Sequence, residues 1–177
     1  MVQVDLRLVK ACVMGGGEIT ELLRSYKLKD VRAIPAGLGL VELKQLLKGT
    51  DVVIGGYGYV EQREVARAAS ELGVPFITYP VITTILPDGI SFDEIEFPDS
   101  RTQPQPQTTS HLLDSIARSL QLVEMLRLFS GVGELLFAPK ALVLYPDAGS
   151  QDLRLKSVEL RLKDNKGDGD GGDDDVA

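Results

Sequence analysis

The chain has 177 residues, is 44% hydrophobic and 25% charged, and carries one cysteine, so it can bury one ordinary core but cannot form an internal disulfide or a CxxC zinc pair. No apolar run reaches the ~20 residues of a membrane helix, and MVQVDLRLVK lacks the charged-then-apolar form of a signal peptide, so the expectation is a cytoplasmic protein with no membrane partner. The net charge of −7 is uneven: from Asp164 to Ala177 six aspartates stand against one lysine, a net −5 that leaves the body near −2, with no basic face for nucleic acid.

Read in chain order, Leu6–Met14 is a strand running into Gly15-Gly16-Gly17, and Glu18–Tyr26 is a helix with Ile19, Leu22 and Leu23 inward. Val31–Ile34 is the next strand. Leu40–Leu47 follows as a helix with Leu40, Leu43, Leu46 and Leu47 inward, stopped at Gly49. Asp51–Ile54 is a short apolar strand broken by Gly55-Gly56-Tyr57-Gly58-Tyr59. The helix Val60–Leu72 places Val60, Val65, Ala68, Ala69 and Leu72 on one side, and Val74–Ile77 begins another strand. Short apolar strands alternating with amphipathic helices predict an α/β fold, a three-layer Rossmann-like domain with a mostly parallel sheet.

From Thr83 the pattern changes. Leu86–Ile90 is a turn by its Pro-Asp-Gly chemistry, Ile90, Phe92, Ile95 and Phe97 suggest short strands, and Ser100–Thr109 reads as a mobile Pro-rich loop. Asp114–Phe129 is a helix with two apolar stripes, either deeply buried or shared with a partner subunit, and Gly131 and Gly133 end it. Ala141–Tyr145 and Leu153–Leu162 form a C-terminal antiparallel hairpin around Asp147-Ala148-Gly149, with a phase change that suggests a bulge near Lys156-Ser157. Residues 164–177 have nothing to bury and are expected to be disordered, which sets one domain at 1–163. The DGDGGDDD run lacks the spacing and terminal Glu of an EF-hand calcium loop.

In open α/β sheets ligands sit at the carboxyl ends of the strands, so the glycine turns after the first and third strands are the places to look for a site. Gly15, Gly16 and Gly17 read as a phosphate loop of the form GxGxxT, without the third glycine of a dinucleotide fingerprint. Pro35 and Ala36 stand where an acid would hold a ribose. Tyr57, Tyr59 and Tyr79 are placed to line one pocket. Cys12 sits in an apolar strand and reads as a buried small residue. His111 reads as a surface or capping residue, Ser110 as a helix cap, and Ser119 and Gln121 as polar groups satisfying backbone at a packed interface.

Three blocks carry a family resemblance: LLKGTDVVIGG with REVARAASELGVPFI, SIARSLQLVEMLRLFSGVGELL, and ALVLYPDAGSQDLRLKSVELR. They cover roughly Ala36 to Lys163 and resemble the ThiF/MoeB/HesA proteins and the adenylation domains of ubiquitin-activating enzymes. The resemblance implies an ATP-dependent adenylyltransferase, with ATP and Mg²⁺ as cofactors and a ubiquitin-like or sulfur-carrier protein as partner. It also implies nucleotide contacts at Gly55, Gly56 and Tyr57 and an arginine retained as Arg63. The family's metal-binding aspartate and following asparagine are here Gly58 and Tyr59, so magnesium is not expected and no catalytic residue is assigned. The Asn-x-x-Arg-Gln stretch, the zinc cysteines and the thioester cysteine have no counterpart. The amino terminus reads either as a compact Rossmann start or, with Lys10-Ala11 as the family's Lys-Ala, as a start beyond the ATP loop. Three glycines would spoil the helix that the second alignment needs, which favours the first. The expectation is a catalytically impaired relative, acting as a homodimer or as the non-catalytic half of a heterodimer with an active relative. The alternative is a Rossmann domain, oxidoreductase or sensor, binding NAD or another small ligand through Gly15–Gly17.

Overall fold

The computed structural model describes residues 5–15, 17–56, 58–98, 107–146 and 153–163. Gly16, Tyr57, most of the Pro-rich loop, the hairpin turn and the acidic tail lie outside them. The first strand is shorter than expected: Leu6–Leu8 form a 3₁₀ turn capped by Asp5, and β1 runs Lys10–Met14. It is followed by α1 (Glu18–Ser25), β2 (Asp30–Ile34), α2 (Leu40–Leu47), β3 (Val52–Ile54), α3 (Tyr59–Glu71), β4 (Phe76–Ile77) and β5 (Thr84–Ile85). The sheet order is β2-β1-β3-β4-β5, parallel through β4, with β5 antiparallel.

The apolar strand runs are explained by cover on both faces. Ala11, Val13, Val52, Ile54 and Ile77 pack with Ile19 and Leu23 of α1 and with Leu122 and Met125 of α4 (Gln107–Ser130). Cys12, Met14, Val53 and Phe76 pack with Leu43 and Leu47 of α2 and Val65, Ala66 and Ala69 of α3. Three layers result, as the periodicity predicts. A Lys44–Glu71 ion pair ties α2 to α3 and holds the Glu71 carboxyl below its usual range.

α3 buries Val65, Ala68 and Ala69 as expected, and departs from its hydrophobic pattern at its ends. Val60 and Leu72, both expected inward, are 78% and 38% exposed, while Gln62 is fully buried. The Gln62 amide accepts from the Tyr79 backbone N–H at 3.0 Å and donates to the Tyr79 carbonyl, a demand that outweighs burying one valine. α4 begins at Gln107, so Ser110 lies inside the helix and not at its cap, and His111 is exposed in its second turn. Gly131 and Gly133 end it at φ +64° and +88°.

β7 (Lys140–Pro146) and β8 (Leu153–Glu159) pair without interruption from Lys140↔Glu159 to Pro146↔Leu153, so there is no bulge at Lys156–Ser157. The phase change has another origin. Val158 and Leu160 lie against the core on the α2–α3 side, whereas Leu155, opposite Leu144, is 50% exposed on the other face. The hairpin is tied to the main sheet by mutual hydrogen bonds between Ile82 and Leu142, at 2.9 and 2.8 Å. β6 (Ile95–Glu96) pairs with β9 (Arg161–Leu162), while Phe92–Glu94 is a 3₁₀ turn, so the expected short strands reduce to one.

Candidate functional site

Strand order puts the reversal of winding between β1 and β3, and the crevice beyond their carboxyl ends is the switch point of the sheet. The two glycine turns meet there. A β-carbon on Gly56 would overlap the Met14 carbonyl oxygen and stand 3.0 Å from Arg118 Nη2. One on Gly55 would overlap the Gln62 side chain and stand 2.9 Å from the Ile77 carbonyl oxygen. Both glycines are therefore required by packing. Gly15 and Gly17 adopt φ +76° and +84°, and the space beside Gly17 is open. Gly56 thus packs on the Met14 carbonyl next to Gly15 and sets the turn after β3 against the end of β1, while Gly16 and Tyr57 lie outside the described residues.

Both flanking helices start on glycine. α1 begins after Gly17 and α3 after Gly58, neither with a side-chain cap, whereas Glu42 of α2 turns back to accept from Gly39 N–H at 2.9 Å. The open start of α1 leaves amide groups and the positive end of its dipole available to an anion, whereas the Glu61 carboxylate stands beside Gly58 at the start of α3.

The roof of the crevice comes from α4, whose contribution the sequence reading only partly saw. Gln121 is fully buried and its Nε2 donates to the carbonyls of Gly55 at 2.9 Å and Thr78 at 3.1 Å, which is the satisfying role expected of it. Ser119 instead faces outward and bonds the Ser115 carbonyl within the helix. Arg118, not singled out from sequence, donates Nη1 to the Gly55 carbonyl at 2.8 Å and to Gln121 Oε1 at 3.2 Å. Its guanidinium lies 4.1 Å from the centre of the Tyr79 ring. The Tyr79 hydroxyl donates to Asp114, and burial, with that bond second, holds the phenol far above its ordinary range. A signal existed: Arg118, Gln121, Leu122 and Met125 follow helical spacing on the inward face, so the arginine sits in a buried stripe.

Other expected residues point elsewhere. Arg63 is held by Asp93 at 2.7 Å, in a cleft of about 450 Å³ lined also by Tyr59, Phe92, Phe97 and Lys163. Tyr59 stacks on Phe97 with ring centres 4.7 Å apart, in the core cluster opposite that of Tyr79. Tyr59 and Tyr79 thus belong to different core clusters, Tyr59 against Phe97 and Tyr79 against Arg118, and Tyr57 lies outside the described residues. Cys12 is fully buried, its thiol pushed up by burial and 3.2 Å from Thr50 Oγ1. It is packing, not a nucleophile.

A magnesium site does not fit these residues. Position 58 offers no carboxylate, and the carboxylate beside it is that of Glu61, whose Oε2 lies 2.9 Å from where a β-carbon on Gly58 would stand. Among the described residues no three of His, Cys, Asp and Glu come together as a metal site. What this end of the sheet offers an anion is the open space beside Gly17 and the Arg118 guanidinium at the Gly55–Gly56 turn. Among the described residues no helix is long and apolar enough to cross a membrane.

The molecule is thus a three-layer α/β domain whose glycine turns converge at the switch point of a mostly parallel sheet. No protein-family profile matches the sequence, and no curated protein matches it. Solved structures do share the fold. PaaA superposes with a TM-score of 0.59 at 14% identity, over 89% of this chain and 65% of that one. MccB, a microcin C7 biosynthetic enzyme solved with N-formylated MccA, gives 0.58 at 10% identity, over 90% and 67%. E. coli MccB solved with ATP gives 0.50 at 12% identity, over 88% and 65%. The chain therefore spans about two thirds of the length of these proteins, and at such identities the likeness is one of fold.

Proposed function

We propose that this chain is a divergent relative of the ThiF-type and ubiquitin-activating adenylation proteins that binds a nucleotide but is impaired in adenylation. It would serve the activation of a ubiquitin-like or sulfur-carrier protein as a homodimer, or as the non-catalytic half of a heterodimer with an active relative. The observation that carries this reading is the meeting of two glycine turns at the switch point, with Gly58 and the Glu61 carboxylate where a metal-binding aspartate would stand. The fold shared with MccB, solved both with ATP and with its MccA partner, supports a nucleotide and a polypeptide ligand. An impaired member needs the cradle without the charge-neutralising metal that pyrophosphate departure demands.

The test is calorimetric titration with ATP and Mg²⁺, followed by pyrophosphate exchange with a carrier protein ending in Gly-Gly. Nucleotide binding without carrier-dependent exchange is expected. Exchange above background would overturn the impaired reading, and absence of any nucleotide binding would overturn the reading altogether. NAD is the weaker ligand on these residues, because β2 ends in Ile34-Pro35-Ala36 and offers no acid to a ribose.

A further inference from the structure

The guanidinium of Arg118 has one carboxylate partner, Asp114, and shares it with Tyr79. Its side chain is 14% exposed, and its carboxylate neighbour Asp114 stands 3.9 Å from Nε while already accepting from the Tyr79 hydroxyl. Nη1 is engaged with the Gly55 carbonyl and Gln121 Oε1. The Gly55 carbonyl also receives Gln121 Nε2 at 2.9 Å, so its satisfaction does not require a cation. Nη2 makes no hydrogen bond among the described residues and lies 3.0 Å from where a β-carbon on Gly56 would stand. Withdrawing a cation from water is costly unless a counter-charge meets it. The glycine at 56 admits the guanidinium to the very turn that borders the phosphate cradle.

We propose that Arg118 Nη2 and the Gly56 turn form the phosphate-reading part of the site, so that the protein binds nucleoside triphosphates and pyrophosphate without a divalent cation. This rests on the nucleotide-binding reading above. A planar guanidinium matches phosphate oxygens with paired, charge-assisted bonds, and here it supplies positive charge where the turn has no metal-binding acid. Glu61, with its carboxylate beside Gly58, is the like charge that this cation must outweigh.

The experiment is calorimetric titration of wild type, Arg118→Gln, Arg118→Lys and Glu61→Gln with sodium pyrophosphate, with ATP in EDTA, and with ATP in excess Mg²⁺. Circular dichroism and the thermal midpoint confirm that each variant is folded. Wild type should bind pyrophosphate and ATP in EDTA, Arg118→Gln should weaken both by about ten- to a hundredfold, and Glu61→Gln should tighten both. Arg118→Lys, which keeps the charge without the fork, should fall between and covers the case of an unfolded Arg118→Gln. Wild-type ATP binding that requires Mg²⁺, or that is lost in Glu61→Gln, would sink the Arg118 proposal and leave the nucleotide site standing. Unchanged affinity in a folded Arg118→Gln would do the same. No binding of any nucleotide by wild type would remove both.

Discussion

Gln121 illustrates how a single polar side chain can hold a site in shape. It is fully buried, and it ties together the carbonyls of Gly55 and Thr78 just beyond the ends of β3 and β4. Replacing it with leucine keeps the volume and strands the Thr78 carbonyl, while Gly55 keeps the Arg118 donor, and the loss costs about 1–3 kcal/mol. Gln121→Leu should lower the urea midpoint without changing the slope of the transition, and an unchanged midpoint would show that Arg118 alone satisfies the turn. Cys12 makes a second prediction. Burial raises its thiol, so its contribution to stability is complete below the ordinary thiol range and erodes as pH rises through the raised folded value. Native protein at pH 8 should resist a thiol reagent that labels the urea-unfolded chain at once, and rapid native labelling would contradict the packing described for Cys12.

At the level of elements, glycine and alternating apolar runs were legible because their causes are local. Gly49, Gly131 and Gly133 all take positive φ where helices or their following turns were expected to stop. α2 has the expected bounds for the same reason. What escaped was set by distant partners. Gln62 turns inward to meet the Tyr79 backbone, and hydrophobic patterning had preferred Val60. The helical spacing of Arg118 with Gln121 and Met125 puts it on the inward face, but its partner, the Gly55 carbonyl beyond β3, is 63 residues away in sequence. The two-sided character of α4 was readable, and the structure buries one side through Ala117, Leu122 and Met125. The other side leaves Leu112 54% and Val123 41% exposed, spaced to share a stripe with half-buried Ile116. If that stripe is where a second copy packs, Val123→Glu should convert a sedimenting dimer to a monomer with an unchanged helical spectrum. A wild-type protein that is monomeric at high concentration would end the homodimer proposal.

For the whole molecule the question is where the cooperative unit stops. β7 and β8 are not an appendage: Ala141 and Leu160 are buried in the α2–α3 core, and Ile82 and Leu142 join the hairpin to the sheet. Glu124, itself buried, accepts from Leu136 N–H at 2.6 Å and so fixes the chain between α4 and the hairpin. Lys163 N–H donates to the Glu94 carbonyl at 2.8 Å, the last backbone tie among the described residues. Beyond it come six aspartates and one lysine, which add net charge and no apolar surface. Two truncations separate these contributions. A chain ending at Lys163 should keep the wild-type thermal midpoint and a single sharp transition, since only like-charge repulsion has been removed. A chain ending at Pro146 loses β8, β9 and the burial of Leu160, and it should unfold broadly and at lower temperature. Equal midpoints for the two would mean that the hairpin folds apart from the sheet. A large fall on removing 164–177 alone would mean that the acidic tail belongs to the folded domain.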